Sequence, residues 1–210
     1  MLRARVTGLL SLGVCLSVSL LHAAEPIVPK GAKVEKLFEA RVLTEGASSA
    51  PDGTIYFSEI TFSHQAVEPD NSIEAGHIWK FDPKTKKTSI FRSPSGMSNG
   101  IKFDKQGNML VAEGGGLRGG GDADRHEDGK SYIIAAMYEG RPLNSPNDIT
   151  IDEKGRIYFS DPRYLGYEGV DQPLQAVYRI DADCSVHRII TDAGKPNGVA
   201  VSPIRRRCMS

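Results

Sequence analysis

Pro146-Asn147-Asp148-Ile149-Thr150-Ile151-Asp152-Glu153-Lys154-Gly155-Arg156-Ile157-Tyr158-Phe159 reads as a short alternating strand, a tight turn closed by glycine, and a second apolar strand. The pattern stands again at Asn99-Gly100-Ile101-Lys102-Phe103-Asp104-Lys105-Gln106-Gly107-Asn108-Met109-Leu110-Val111. Its second half is Pro51-Asp52-Gly53-Thr54-Ile55-Tyr56-Phe57-Ser58, and it begins once more at Pro196-Asn197-Gly198-Val199-Ala200-Val201. Asn99, Asn147 and Asn197 fall 48 and 50 residues apart. A period of roughly 40–50 residues made of short strands predicts an all-β chain, a β-propeller with one four-stranded blade per repeat. About four blades are begun, an incomplete ring.

The outer hairpins repeat too. His77-Ile78-Trp79-Lys80-Phe81-Asp82-Pro83 turns at Asp82-Pro83-Lys84-Thr85 into Thr88–Phe91. Ala176-Val177-Tyr178-Arg179-Ile180-Asp181 turns at Ala182-Asp183 into Val186–Ile190. Their aromatics are expected to pack between blades. An amphipathic strand is expected at Val34 to Phe38, and another from Thr54 to Ile60. The polar stretch His64 to Gly76 reads as an insertion; its His64 is expected to be solvated. Gly114 to Gly121 is glycine-rich but lacks a Gly-Lys-Ser/Thr ending and opens no helix, so a loop is expected rather than a phosphate cradle.

The 210 residues carry 26 basic and 26 acidic side chains, 22 Gly and 12 Pro, a turn-rich globular composition without net charge. No nucleic-acid partner is expected. Residues 1–24 combine Arg3 and Arg5 with the apolar run Leu9 to Leu21 and small Ala23-Ala24, the pattern of a cleaved signal peptide. The run is short for a membrane span of about 20 residues. Export to a periplasmic or extracellular space is expected, with no membrane contact after cleavage. Cys184 and Cys208 would then remain, too few for a disulfide framework or zinc site. Residues 25–203 are expected to form the partial propeller. At 204–210, Ile204-Arg205-Arg206-Arg207-Cys208-Met209-Ser210 departs from the pattern and reads as an aberrant tail, making the chain a fragment or the product of a frame error.

Inner strands of a propeller converge on its central channel, so a polar residue repeated at one blade position lines that channel. Glu45, just before Gly46, stands at the matching point of blade one, Asn147 and Asn197 at those of blades three and four. A carboxylate and amide carbonyls offer only oxygen, the preference of a hard cation: Ca²⁺ first, with Mg²⁺ or Mn²⁺ as substitutes. Asn before Gly or Asp is also a good turn former, but three in register favour a shared site. Asn99 holds the blade-two point and is expected to face substrate or line the channel. Asp148 is expected to orient Asn147 from behind. No Gly-x-Ser-x-Gly elbow points to a serine nucleophile.

Ser145-Pro146-Asn147-Asp148 followed by Asp152-x-x-Gly155-Arg156-Ile157-Tyr158-Phe159-Ser160-Asp161-Pro162 resembles the senescence-marker-protein/gluconolactonase family. Glu45-Gly46, Asp52-Gly53-Thr54-Ile55-Tyr56-Phe57 and Pro196-Asn197-Gly198 fall where that family has its motifs, and the likeness covers about residues 34–203. It implies a six-bladed propeller with one divalent cation in the channel, usually Ca²⁺, with Mg²⁺, Mn²⁺ or Zn²⁺ as replacements. It implies hydrolysis of small lactones, relatives acting on organophosphates. The implied metal ligands are Glu45, Asn147 and Asn197, with Asn99 and Asn147 toward substrate. A fourth ligand, an Asp that is also the candidate base, would fall beyond Ser210, so the catalytic residue is unknown. Some relatives carry Arg where Ser145 stands, which bears on sugar-lactone preference. A non-catalytic propeller that binds a partner is the alternative from another class.

Overall fold

A computed structural model describes residues 27–39, 43–60, 76–115, 122–127, 130–164, 170–202 and 208–209. The signal segment, His64, most of the glycine-rich run and residues 203–207 lie outside the described residues. Two units are distinguished, residues 1–36 and 37–210. Within the first, residues 27–36 form no strand and contain a turn in which the Ala32 N–H donates to the Pro29 carbonyl.

The second unit is built of antiparallel sheets. Strands β1 (Leu43–Ser49), β2 (Ile55–Ile60), β3 (His77–Asp82) and β4 (Lys87–Arg92) pair in sequence order. So do β5 (Ser98–Phe103), β6 (Met109–Glu113), β7 (Asp122–Glu127) and β8 (Lys130–Ala135). A small hairpin follows, β9 (Met137–Tyr138) with β10 (Arg141–Pro142). The third four-stranded meander is β11 (Ile149–Ile151), β12 (Ile157–Asp161), β13 (Ala176–Ile180) and β14 (Val186–Ile190). β15 (Ala200–Val201) pairs with β16 (Cys208–Met209) to open a fourth blade. Three complete blades and the first hairpin of another are the expected propeller architecture.

One device makes the hairpins alike. The carboxylate at the head of each turn accepts the backbone N–H two residues on: Asp52 from Thr54 at 2.9 Å, Asp104 from Gln106 at 2.9 Å, and Asp152 from Lys154 at 2.9 Å. Asp82 and Asp183 do the same in outer hairpins, toward Lys84 and Ser185. Aspartate is favoured there because its short side chain closes the turn on its own backbone. Gly53, Gly107 and Gly155 complete the inner turns with φ of 88°, 88° and 80°, where a Cβ is penalised.

Period-2 alternation then packs blade on blade. On β12, Phe159 joins the core it shares with Leu110, Ile149 and Tyr178, while its neighbour Tyr158 joins Val177 and Val199 on the other face. Both faces are covered, so the second strands read as apolar runs; β6 is buried along its whole length. A further cluster of Ile78, Ile101, Met109 and Val111 joins blades one and two. Of the outer-hairpin aromatics, Tyr178 stacks 5.4 Å from Phe159, its partner on the adjacent strand of the same blade, and reaches the neighbouring blade through the core it shares with Leu110.

The strand expected at Val34 to Phe38 does not form. Blade one already has four paired strands in β1–β4, and alternation without a pairing edge leaves backbone groups unsatisfied. Phe38 contributes its ring instead, 5.4 Å from Phe57 and 4.9 Å from Trp79 between centroids.

Candidate metal centre

The segments carrying Glu45, Asn99, Asn147 and Asn197 stand side by side, and glycines let them do so. A Cβ on Gly46 would lie 1.9 Å from the Asn99 carbonyl oxygen and 2.9 Å from Gly100 Cα. Gly100 in turn abuts Asp148, where a Cβ would meet Asp148 Cα at 2.7 Å and Oδ1 at 2.8 Å. The Gly100 N–H donates to the Asn147 carbonyl at 2.7 Å. Blade four is joined through Asp148, whose Oδ2 accepts the Val199 N–H at 2.8 Å.

Side chains on the second strands reach forward to the same segments. The Ser58 hydroxyl donates to the Asn99 carbonyl at 2.8 Å, and the Ser160 hydroxyl donates to the Asn197 carbonyl. Ala112 holds the equivalent place in blade two, where the Gly100–Asn147 backbone bond makes the link.

Glu45 is half-buried on β1 opposite Ser58; Asn99 and Asn147 are buried; Asn197 is exposed. Among the described residues, none forms a hydrogen bond or ion pair with the Glu45 carboxylate or with the side-chain amides of these three asparagines. Uncommitted oxygens on adjacent inner segments suit a hard cation. No group of three or more His, Cys, Asp or Glu side chains able to hold a metal occurs among the described residues. A cation here would therefore rest on amide oxygens, with Glu45 the one carboxylate of the expected set.

Asp148 differs from expectation. Its carboxylate does not bond the Asn147 side chain; it accepts the Ile149 N–H at 2.9 Å and, across the blade junction, the Val199 N–H. It stands between Gly100 and Gly198, which hold the equivalent places in the neighbouring blades, and fills the room they leave. The strand it aligns is the one that follows Asn197.

Ser145 is committed as well. Its N–H donates to Asp161 Oδ1 at 2.7 Å and its hydroxyl to the Gly114 carbonyl at 3.0 Å, tying blade three to the start of the glycine-rich run. Asp161 is fully buried and also accepts the Asn144 N–H at 2.9 Å. Burial pushes its carboxyl up to about 6, against the opposing pull of those two amides and of Arg163. Around it, the Arg163 guanidinium donates to the Asn144 carbonyl at 2.6 Å, and the Gln172 N–H donates to Asn144 Oδ1 at 3.0 Å. The Gln172 amide holds the β9–β10 hairpin through the carbonyls of Tyr138, Arg141 and Pro142.

Sequence reasoning passed over this position. Glu113 and Asp161 end the second strands of blades two and three, Glu59 holds the matching place one residue before the end of β2, and all three are buried. The signal was the repeat itself: an acid directly after Phe57-Ser58, Val111-Ala112 and Phe159-Ser160.

Comparison with known proteins places the fold and the family. A gluconolactonase of Zymomonas mobilis is 33% identical over 119 residues, covering 54% of this chain and 32% of the relative. Lactonase drp35 of Staphylococcus aureus is 29% identical over 129 residues, 60% of this chain and 39% of the relative. The chain thus spans about a third of the length of the curated relatives it matches. The crystal structure of a gluconolactonase-like protein superposes with a TM-score of 0.70 at 29% identity, over 85% of this chain and 59% of that one. A gluconolactonase structure from Xanthomonas campestris gives 0.68 at 21% identity, over 82% and 55%, and supports the fold alone. With residues 43–208 matching its pattern, the chain belongs to the SMP-30/Gluconolactonase/LRE-like region family.

Proposed function

We propose that this propeller carries the cation-holding part of a lactonase site, with Glu45, Asn147 and Asn197 as ligands to one divalent cation, Ca²⁺ by preference. The observation that supports it is the side-by-side placement of four inner segments whose polar ends have no partner among the described residues. Glu45 brings the negative charge, and Asn147 and Asn197 bring neutral carbonyl oxygens. Asn99 and Asn147 orient a small lactone by hydrogen bonding. The cation supplies Lewis-acid polarisation of the ester carbonyl.

The chain's own residues hold the lactone against the channel wall and fix the direction from which water arrives. Proton removal from that water needs a carboxylate within hydrogen-bond reach, a role the family resemblance gives to an Asp. Residues 25–203 act as the propeller portion, and residues 1–24 direct export to a periplasmic or extracellular space.

The test is titration of an aldonolactone into the chain with Ca²⁺ and again after chelation. Binding should require Ca²⁺ and be lost in Asn147→Ala. Lactone binding unchanged by chelation and by Asn147→Ala would overturn the reading.

A further inference from the structure

The buried acids that end the second strands are placed for a purpose the hairpins do not need. Those turns are already closed by Asp52, Asp104 and Asp152 at the opposite end of the strands. Asp161 instead accepts the backbone N–H groups of Asn144 and Ser145, three and two residues before Asn147. In blade two, Glu113 pairs in register with Ser98 and lies over Gly96, three residues before Asn99. Its carboxylate is so close that a Cβ on Gly96 would fall 2.4 Å from Oε2. The same offset therefore recurs in two blades, although Glu113 is held by the Arg92 guanidinium and Asp161 by backbone amides.

Burying a carboxylate is costly unless charge or several donors compensate it. At Asp161 part of that compensation comes from two amides of the segment entering an inner strand, whereas at Glu113 it comes from the Arg92 guanidinium at the end of β4, with the carboxylate packed over Gly96. Asn147 has little freedom once that entry is fixed. Its N–H donates to the Ser160 carbonyl at 2.9 Å, and its own carbonyl accepts from Gly100. Moving residues 144 and 145 rotates the chain into Pro146, whose ring fixes φ, and hence turns the Asn147 side chain.

We propose that Asp161 and Glu113 are positioning residues that set the direction of the channel amides of Asn147 and Asn99 from three residues upstream. This deepens the metal-site reading and rests on it for its consequence, but the positioning itself concerns the metal-free chain. Asp161→Asn keeps the size and one acceptor while presenting an NH₂ group to one of two N–H donors, so one bond is lost. The Ser145–Gly114 tie should loosen with it.

The experiment compares the 210-residue chain with Asp161→Asn, Glu113→Gln and the control Asp152→Asn. Asp152 holds Lys154, Arg156 and Tyr158 at the far end of β12, so its loss weakens the fold without touching residues 144–147. In metal-free protein, the side-chain NH₂ resonances of Asn147 should shift in Asp161→Asn and those of Asn99 in Glu113→Gln. Neither should move in Asp152→Asn at matched loss of melting temperature. Ca²⁺ affinity should fall at least tenfold in Asp161→Asn and stay within twofold in Asp152→Asn. Unmoved Asn147 and Asn99 resonances in folded variants would overturn the positioning role. If Asp161→Asn does not fold, Glu113→Gln with Asn99 as reporter decides the question. Glu45→Gln, run alongside, separates the two ideas: Ca²⁺ binding that survives it counts against the metal site, while the metal-free resonances still judge positioning.

Discussion

Among the described glycines, replacing Gly46 by alanine should be the most damaging. Two costs combine. Gly46 has φ of 64°, and an L-residue held in the left-handed region costs roughly 1–2 kcal/mol. The new Cβ would also sit 1.9 Å from the Asn99 carbonyl oxygen and 2.7 Å from the Asn99 carbonyl carbon, both backbone atoms of the next blade. Restoring ordinary contact requires the two inner strands to part by about 1.5 Å, and forced overpacking of this kind costs typically 1–3 kcal/mol or more. The sum, about 2–5 kcal/mol, corresponds to a melting temperature lower by on the order of 10 °C for a chain of this length. Gly53 is the matched comparison: φ is 88°, yet nothing lies within 4 Å of its added Cβ. Gly53→Ala should therefore lose only the backbone part, about 1–2 kcal/mol and a few degrees. Thermal unfolding of the pair by circular dichroism measures the difference directly. Equal losses in Gly46→Ala and Gly53→Ala would refute the claim that glycine is there for close approach of the strands.

Other expectations follow from the same contacts. Asp148→Ala leaves the Val199 and Ile149 N–H groups without their acceptor, at about 1–3 kcal/mol for each one that stays dry; hydrogen exchange at Val199 should quicken more than at Ile190, and equal protection would count against the inter-blade role. Ser160→Ala should cost about 1 kcal/mol in urea unfolding and loosen the Asn197 segment, an effect absent if the Ser160–Asn197 bond is not formed in solution. Asp161 has its carboxyl raised to about 6 from 3.8, so between those values the folded state holds a proton the unfolded chain has released. Its contribution is greatest below about pH 4 and is lost as pH rises through 6, about 3 kcal/mol in all at ~1.4 kcal/mol per unit. Asp161→Asn should remove that slope, and parallel pH profiles for the two chains would contradict it.

How far the sequence could be read depended on how local each cause was. The hairpins were legible because an Asp at 52, 104, 152, 82 or 183 closes its turn within two residues. The order of the inner segments was legible because the Asn spacing matches one blade. Val34 to Phe38 misled: alternation marks a half-buried strand only where an edge is free to pair with it, and Phe38 packs its ring without one. Asp148 announced itself as the departure from Gly at that repeat position, but its partner Val199 lies 51 residues away. Asp161 stands in the family motif with no role assigned to it, because only the folded chain brings Asn144 and Ser145 back onto it.

The central claim is that Glu45, Asn147 and Asn197 hold one divalent cation. Calorimetric titration of Ca²⁺ into the chain and into Glu45→Gln tests it most directly, because that substitution removes the formal charge of the set while keeping its shape. The account predicts one Ca²⁺ per chain and at least a tenfold loss of affinity in Glu45→Gln. Equal affinity in the two proteins would contradict it.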